Sequence, residues 1–422
     1  MAMQDEVELL QFATQKLLNG ASTLHGDKTG SGVLACLCVR FALEFNADPS
    51  SREVACTQVE RHMRLCLAAT AGFERLITIA GSEPLLAEAA SRLTGGDLKK
   101  PVDHLASVLD LDCIDRGRRG ELVATMMIMQ ARDEASAREG SRWISVKSFM
   151  EALLSQDKYD DLLNSVPTAR RKEGDMPFGE TFENYAMWFN HVIRIMDRKA
   201  INSKNLWTYI TRGAMVVCTH YQPGVDIVLP LCLKTGNISG NNVSAILIQV
   251  KNAKQYGRTI DKRLFDAMDP VSVGLFDDNT SQRPIIRMVF ALAAPDEDKD
   301  EGKDEGKDED DESAHPKKKR PKTDAVSLPL PRAPHSARGD NGLTTFDIWC
   351  AGLSKKTFRG NPDDLTSYKV VLDRLLQVDE VFKLQETKDI FLDDKTRSLR
   401  ESLRRRMSAL TILQDDHRRL HV

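Results

Sequence analysis

Four short apolar runs between residues 213 and 292 constrain the fold of this chain more than any other feature. Each run is five or six residues long and rich in β-branched residues, which is typical of a buried strand. Turn-forming residues separate them, as at Pro223-Gly224 and Gly236-Asn237. The runs are Ala214–Cys218, Val225–Leu229, Ala245–Val250 and Ile285–Phe290. Because helical periodicity surrounds them, we predict an α/β fold with a small sheet flanked by helices.

Bulk composition excludes several classes of protein. The 422 residues predict two or three domains, and 59 basic against 62 acidic side chains leave the net charge near zero. Any surface that binds nucleic acid must therefore be a basic patch confined to one part of the protein. The N-terminal sequence lacks a secretory leader, and no run of about 18 apolar residues predicts a membrane span. The eight cysteines are scattered, so we interpret them as reduced core thiols of an intracellular protein rather than zinc ligands.

Changes in composition divide the chain into four segments. Residues 1–112 are predicted to be a helical N-terminal region. Residues 113–293 are predicted to be the α/β core, with a helical insertion at about 135–205. The segment 294–342 is acidic, then basic and proline-rich, which predicts a disordered linker. Residues 343–422 are predicted to be helical again.

Two of the predicted strands carry polar residues that suggest chemistry. Asp226 interrupts one apolar run, and Gln249 and Lys251 close the next. Since side chains alternate along a strand, Gln249 and Lys251 should share one face while Val250 points away. A carboxylate, a second oxygen and a lysine at one spot suit metal-assisted hydrolysis of a phosphodiester. The alternative is an acid and a lysine on an open strand edge.

The residues that carry this pattern, GVDIVLPL and AILIQVKNAK, resemble the core of the PD-(D/E)XK nuclease superfamily. The Q-x-K form is similar to Mrr-type restriction endonucleases, and also to an expanded group of uncharacterised fungal proteins. The resemblance implies a mixed sheet and hydrolysis of DNA or RNA with Mg²⁺ or Mn²⁺. Asp226 and Gln249 would hold the metal, and Lys251 would stabilise the transition state. Val225 stands where the motif usually has proline.

Such cores begin with a helix whose acid faces the site. The resemblance therefore implies Glu121, at the start of an apolar helix, as a supporting catalytic acid and metal ligand. Glu180 and Glu183 are competing candidates. An acid in the first turn of a helix is also favoured by the helix dipole alone. Two other hypotheses remain open. One is an inactive nuclease-fold binding or scaffold module, either alone or as a fragment of a larger protein, and the other is an all-helical adaptor.

Basic clusters predict location and partners. The run Lys317, Lys318, Lys319 and Arg320 resembles a nuclear localisation signal, which implies an import receptor and a nuclear protein. A solvated charge run is the alternative. The arginines of 397–406 suit either phosphate contact or plain solvation. His191 and His220 have no second histidine at ligand spacing and are interpreted as structural. No nucleophile-elbow motif is present.

Overall fold

The computed structural model describes most of the chain as far as residue 372. The described ranges are 2–24, 30–45, 52–70, 76–96, 119–168, 175–219, 222–234, 242–252, 256–257, 259–276, 283–294, 344–360 and 363–372. Residues 1–369 form one compact unit, and residues 370–422 form a second.

Helices and strands alternate irregularly along the first unit. The helices are α1 Ala2–Leu17, α2 Ser31–Phe41, α3 Arg52–Arg61, α4 Pro84–Gly96, α5 Arg119–Glu139, α6 Val146–Leu153, α7 Gln156–Leu163, α8 Phe178–Thr181, α9 Ser203–Thr211 and α10 Lys262–Ala267. The strands are β1 Arg64–Ala69, β2 Leu76–Ala80, β3 Ile144–Ser145, β4 Tyr185–Met187, β5 His191–Arg194, β6 Ala214–Val217, β7 Ile227–Leu233, β8 Val243–Lys251, β9 Ile285–Ala291 and β10 Thr345–Ala351.

The main sheet is mixed. Its order is β10-β9-β8-β7-β4-β3, and β6 joins β7 to β5 away from that path. Strand β8 is antiparallel to β7 and parallel to β9, which in turn is parallel to β10. Strands β8 and β9 are buried along nearly their whole length. Burial on both faces explains their continuous apolar sequences, which lack a polar alternation.

Helices α9 and α10 cover one face of this sheet. Leu206 and Ile210 of α9 and Phe265 of α10 pack in one core cluster with Leu247 of β8 and Val289 of β9. Helix α5 also contacts β8. The predicted α/β class and the four predicted strands are thus confirmed, while the all-helical alternative is wrong.

Three segments predicted to be helical contain strands. The N-terminal region holds the hairpin β1–β2, the insertion at about 135–205 holds β3, β4 and β5, and the C-terminal region begins with β10. These strands were missed because two to seven residues cannot display a clear period. Strand β10 also gains a long-range partner, since Asp347 pairs with Arg287 of β9 at 2.6 Å.

A second core forms where α1, α2 and α4 pack together. Beside it lies Arg40, which is only 1% exposed. Its guanidinium contacts both carboxylate oxygens of Asp133 on α5, at 2.9 and 3.0 Å, and donates to Thr94 of α4. It also donates to the carbonyl of Asn190, next to β5. One buried cation therefore links helices to the main sheet.

Some predicted features lie outside the described residues. They include the basic cluster Lys317–Arg320, the arginines of 397–406, His220, and the linker 294–342 except for its first residue. Within the described residues, none of the helices has the length and apolar character needed to cross a membrane.

Candidate functional site

The turn before β7 fixes the position of Asp226. Gly224 has a φ of 85°, and a side chain there would overlap the backbone carbonyl of Ala267 at the end of α10. Only glycine satisfies both the left-handed conformation and this close approach. The next residue, Val225, is fully buried in the core beneath α10. The turn therefore packs tightly against α10, and it places Asp226 directly before the first residue of β7.

Asp226 bridges three neighbouring strands. Its backbone N–H donates to Ile248 of β8 at 2.9 Å, while its carbonyl accepts from Cys218, just after β6, at 2.8 Å. Its carboxylate oxygen Oδ2 accepts from the backbone N–H of Val250 at 2.7 Å. The carboxylate therefore contacts the backbone of Val250, the residue between Gln249 and Lys251. The structure brings the three predicted site residues together.

Gln249 and Lys251 share one side of β8, as alternation predicts. They continue the row of Val243, Ala245 and Leu247, which packs against α9 and α10. Gln249 is 6% exposed, and its Oε1 has no hydrogen-bond partner among the described residues. A buried amide oxygen without a donor is costly, by about 1–3 kcal/mol. It therefore marks a place where a cation or a donor would be stabilising.

Burial and the neighbouring donor and cation have opposite effects on the pKa of Asp226. Burial raises the pKa of its carboxyl above the usual value, while the Val250 N–H and the charge of Lys251 lower it, with a net rise. The ammonium of Lys251 is partly buried and lies 5.7 Å from the ring centre of Tyr256. A divalent cation beside Asp226 would supply the positive charge that Lys251 only partly provides.

Glu121 lies in the helix that begins against the end of β8. Gly120 packs so closely on Asn252 that any side chain at 120 would overlap the Asn252 amide. Of the competing acids, Glu183 is exposed and paired with Lys147, and Glu180 lies in the short helix α8. Glu121 follows Gly120 and so belongs to the turn of α5 that packs on the end of β8, and its role as a supporting acid stays a prediction.

Asn252 is a further candidate site residue, which the sequence analysis did not name. Its Oδ1 is buried and, like the Gln249 amide oxygen, has no hydrogen-bond partner within the described ranges. The two oxygens belong to residues three positions apart at the carboxyl end of β8. The only sequence signal for Asn252 is its place directly after the Q-x-K pattern.

The donor set suits a hard divalent cation. Carboxylate, amide and water oxygens are the ligands that Mg²⁺ and Mn²⁺ accept. Within the part of the chain that the structure describes, no three histidine, cysteine, aspartate or glutamate side chains converge on one point. A metal at Asp226 would therefore depend on the Gln249 carbonyl and on water to complete its shell, with the orphaned amide oxygen as the observation that supports this fit.

Replacing Asp226 with asparagine should stabilise the metal-free protein at neutral pH. The folded-state pKa of Asp226 is raised, so the charged form is disfavoured by folding. Above that pKa the folded protein bears this cost, and below the unfolded value, near 3.8, both states are protonated and the cost vanishes. Each unit of upward shift corresponds to about 1.4 kcal/mol. Asparagine keeps an oxygen for the Val250 N–H.

Urea unfolding between pH 8 and pH 4.5, with a chelator present, measures this effect. The gain in unfolding free energy for Asp226→Asn should be largest at high pH and shrink as the pH falls. An asparagine variant that is less stable than the parent at every pH would show that the carboxylate is a structural group.

Among the comparisons with known proteins, a match comes from one family model. No curated protein and no solved structure matches the chain. The model of a family described as a domain of unknown function, DUF8736, matches residues 27–278. That range includes Glu121, Asp226, Gln249 and Lys251, and it ends before β9. Since the match spans more than half of the sequence, the chain belongs to the DUF8736 family.

Proposed function

We propose that this protein is a nuclease-like enzyme that hydrolyses nucleic-acid phosphodiester bonds with the help of Mg²⁺ or Mn²⁺. The observation that carries the proposal is the buried Oε1 of Gln249, which has no hydrogen-bond partner among the residues that the structure describes. Gln249 directly precedes Val250, whose N–H donates to Asp226. Buried amide oxygens usually accept a hydrogen bond, so an oxygen without a donor at this place supports a bound cation. The resemblance of the two strands to a PD-(D/E)XK core supports the same chemistry.

Each residue has a separate role in the proposed reaction. A divalent cation bound at the site would polarise the phosphate and lower the pKa of a bound water. Asp226 would anchor it, held in place by the Val250 N–H and the turn at Gly224. Gln249 would add a neutral oxygen ligand. Lys251, on the same side of β8, would stabilise the negative charge that develops on the phosphate oxygens.

A direct assay tests this activity. The purified full chain is incubated with single-stranded DNA, double-stranded DNA and RNA, with Mg²⁺, with Mn²⁺, or with a chelator. Cleavage that needs the metal and disappears in Asp226→Ala would support the proposal. A folded, metal-loaded protein that leaves all three substrates intact would contradict it.

The second candidate is a nucleic-acid or scaffold module that does not cut. The observation that favours it is Gln249 itself, because an amide supplies one negative charge fewer than the acid that most related motifs carry. Retained binding of DNA or RNA without cleavage would select this function. With the predicted import signal at 317–320, either function would operate in the nucleus.

Gln249→Glu is the sharpest test of whether this side chain faces a metal. The change restores the missing negative charge, so we expect Mg²⁺ affinity to rise roughly tenfold, as charge count governs such sites. In the absence of metal, a buried acid beside Asp226 should lower the unfolding free energy. Added Mg²⁺ should recover that loss. Calorimetric titration and urea unfolding measure both effects.

A matched control adds the same charge elsewhere. Gln156 is exposed at the start of α7, so Gln156→Glu should leave the Mg²⁺ affinity unchanged. If Gln249→Glu destabilises the protein and Mg²⁺ recovers nothing, Gln249 is a packing residue and the proposed metal site is wrong.

A further inference from the structure

A chain of hydrogen bonds outside the nuclease-like site ends on a serine hydroxyl. The Oγ of Ser82 lies 2.9 Å from Nε2 of His191. On the other side of the ring, Nδ1 of His191 lies 2.8 Å from Oδ1 of Asn190. The Nδ2 of Asn190 donates to Glu88 at 2.9 Å. Asn190 and His191 are buried, whereas Ser82 is partly exposed.

The carboxylate of Glu88, at one end of this series of hydrogen bonds, fixes which group donates and which accepts in each of them. Glu88 has a lowered pKa and accepts hydrogen bonds only, so Asn190 must present its amide N–H₂ to Glu88 and its oxygen to the ring. Nδ1 of His191 must then carry the proton, which leaves Nε2 as an acceptor. The hydroxyl of Ser82 therefore donates to Nε2. This tautomer is the one that a histidine needs to act as a base towards a serine.

The surroundings of Ser82 suit a developing negative charge. Ser82 lies in the turn between β2 and α4, one residue before the Glu83 that accepts from the first turn of the 13-residue helix. The guanidinium of Arg212 contacts the Ser82 carbonyl and lies 3.4 Å from its Oγ. Because the Glu83 carboxylate already occupies that helix N-terminus, the guanidinium of Arg212 is the group that can stabilise an oxyanion here.

The histidine is uncharged at neutral pH. Burial, the largest cause, and the charges of Arg212 and Arg40 lower the pKa of His191 to about 4, against a smaller opposing effect of the Gly213 carbonyl. Nε2 is thus free to accept a proton under physiological conditions. The same environment disfavours the imidazolium, so acylation should be slow.

We propose that Ser82 is the nucleophile of a second, acyl-transfer site that accepts small carboxylic esters. The Oγ of Ser82 forms a bond to the acyl carbon while its proton passes to Nε2 of His191. The carbonyl oxygen becomes an oxyanion beside Arg212. The ester C–O bond then breaks, and the alcohol leaves with the proton from Nε2. Water later cleaves the acyl-serine and releases the acid. The site is independent of the nuclease proposal.

A second serine–histidine pair provides a control. The Oγ of Ser31 lies 2.8 Å from Nε2 of His62, but Nδ1 of His62 faces the Leu17 carbonyl instead of a side-chain relay. Gln58 also donates to the Ser31 hydroxyl at 3.0 Å, a closer contact than the 3.4 Å between Arg212 and the Ser82 hydroxyl. We assign Ser31 and His62 a structural role.

Acetylation by p-nitrophenyl acetate tests the proposal. The full chain is incubated with the ester, and the modified residue is identified by peptide mass spectrometry while p-nitrophenolate release is followed. We expect one acetyl group per chain, on Ser82. Ser82→Ala should remove it, Ser31→Ala should not, and Arg212→Gln should slow it about 100-fold. The rate should be nearly constant between pH 6 and 8, because His191 is already neutral there.

Other results would overturn the assignment. These are no acetylation of the folded parent protein, acetyl groups spread over serines, tyrosines and lysines, or a Ser82 rate that rises tenfold with each pH unit, as unassisted attack does. Because the acetylated peptide is mapped in the parent protein, the outcome does not depend on whether Ser82→Ala folds.

Discussion

Lys251→Ala should lower metal-dependent cleavage by about 100-fold to 1000-fold, which is the effect of losing one donor to a developing oxyanion. The side chain lies at the end of β8, partly exposed and on the side of Gln249. Its loss should change the unfolding free energy by no more than about 0.5 kcal/mol, as for most surface positions. Single-turnover cleavage rates and urea unfolding measure the two quantities separately.

The control for this variant is another lysine. Lys262 is exposed in the first turn of α10, and Lys262→Ala should cleave like the parent protein. Equal rates for Lys251→Ala and the parent would remove Lys251 from the proposed mechanism. A large loss of stability would instead show that the lysine supports the fold.

Arg40→Ala should have the largest effect on stability, a loss of about 3 kcal/mol, because it removes a buried cation and its hydrogen bonds and leaves Asp133 with Arg132 alone, at 2.9 Å. Arg40 is 1% exposed and makes two contacts with Asp133, one with Thr94 and one with the Asn190 carbonyl. Removing it therefore breaks the link between α2, α5 and the start of β5. Urea unfolding at pH 7 measures the loss.

A surface arginine shows what an ordinary ion pair contributes. Arg92 pairs with Glu88 one turn earlier on α4, but its side chain is 54% exposed. Arg92→Ala should cost about 0.5 kcal/mol or less. If Arg40→Ala were equally mild, the buried network would not be what joins the helices to the sheet.

The sequence predicted the centre of the main sheet because its strands are continuously apolar and are bounded by turn-forming residues. The runs at 214–218, 225–229, 245–250 and 285–290 correspond to β6, β7, β8 and β9. The contact of Asp226 with the backbone between Gln249 and Lys251 followed from the same reasoning, since a hairpin of two such strands places their polar ends together. The alternation of side chains along a strand can be read from the sequence alone.

Other features depend on contacts that no local pattern reveals. Strand β10 follows the long acidic and basic segment, and its register on β9 is fixed by pairs such as Asp347 with Arg287. The Ser82–His191 pair joins residues more than a hundred positions apart. His191 was interpreted as structural because no second histidine lies at ligand spacing, and no local sequence pattern reveals its contact with Ser82. Arg40 did carry a signal, as a lone charge in the apolar run 34–41.

Binding of Mn²⁺ to the purified full chain tests the central claim most directly. Electron paramagnetic resonance titration counts the bound ions without requiring catalysis. We predict one ion per chain, lost in Asp226→Asn and retained in Lys251→Ala, since only the first residue supplies a ligand. Equal Mn²⁺ binding by the parent and Asp226→Asn, or no binding by the folded parent, would contradict the proposed metal site.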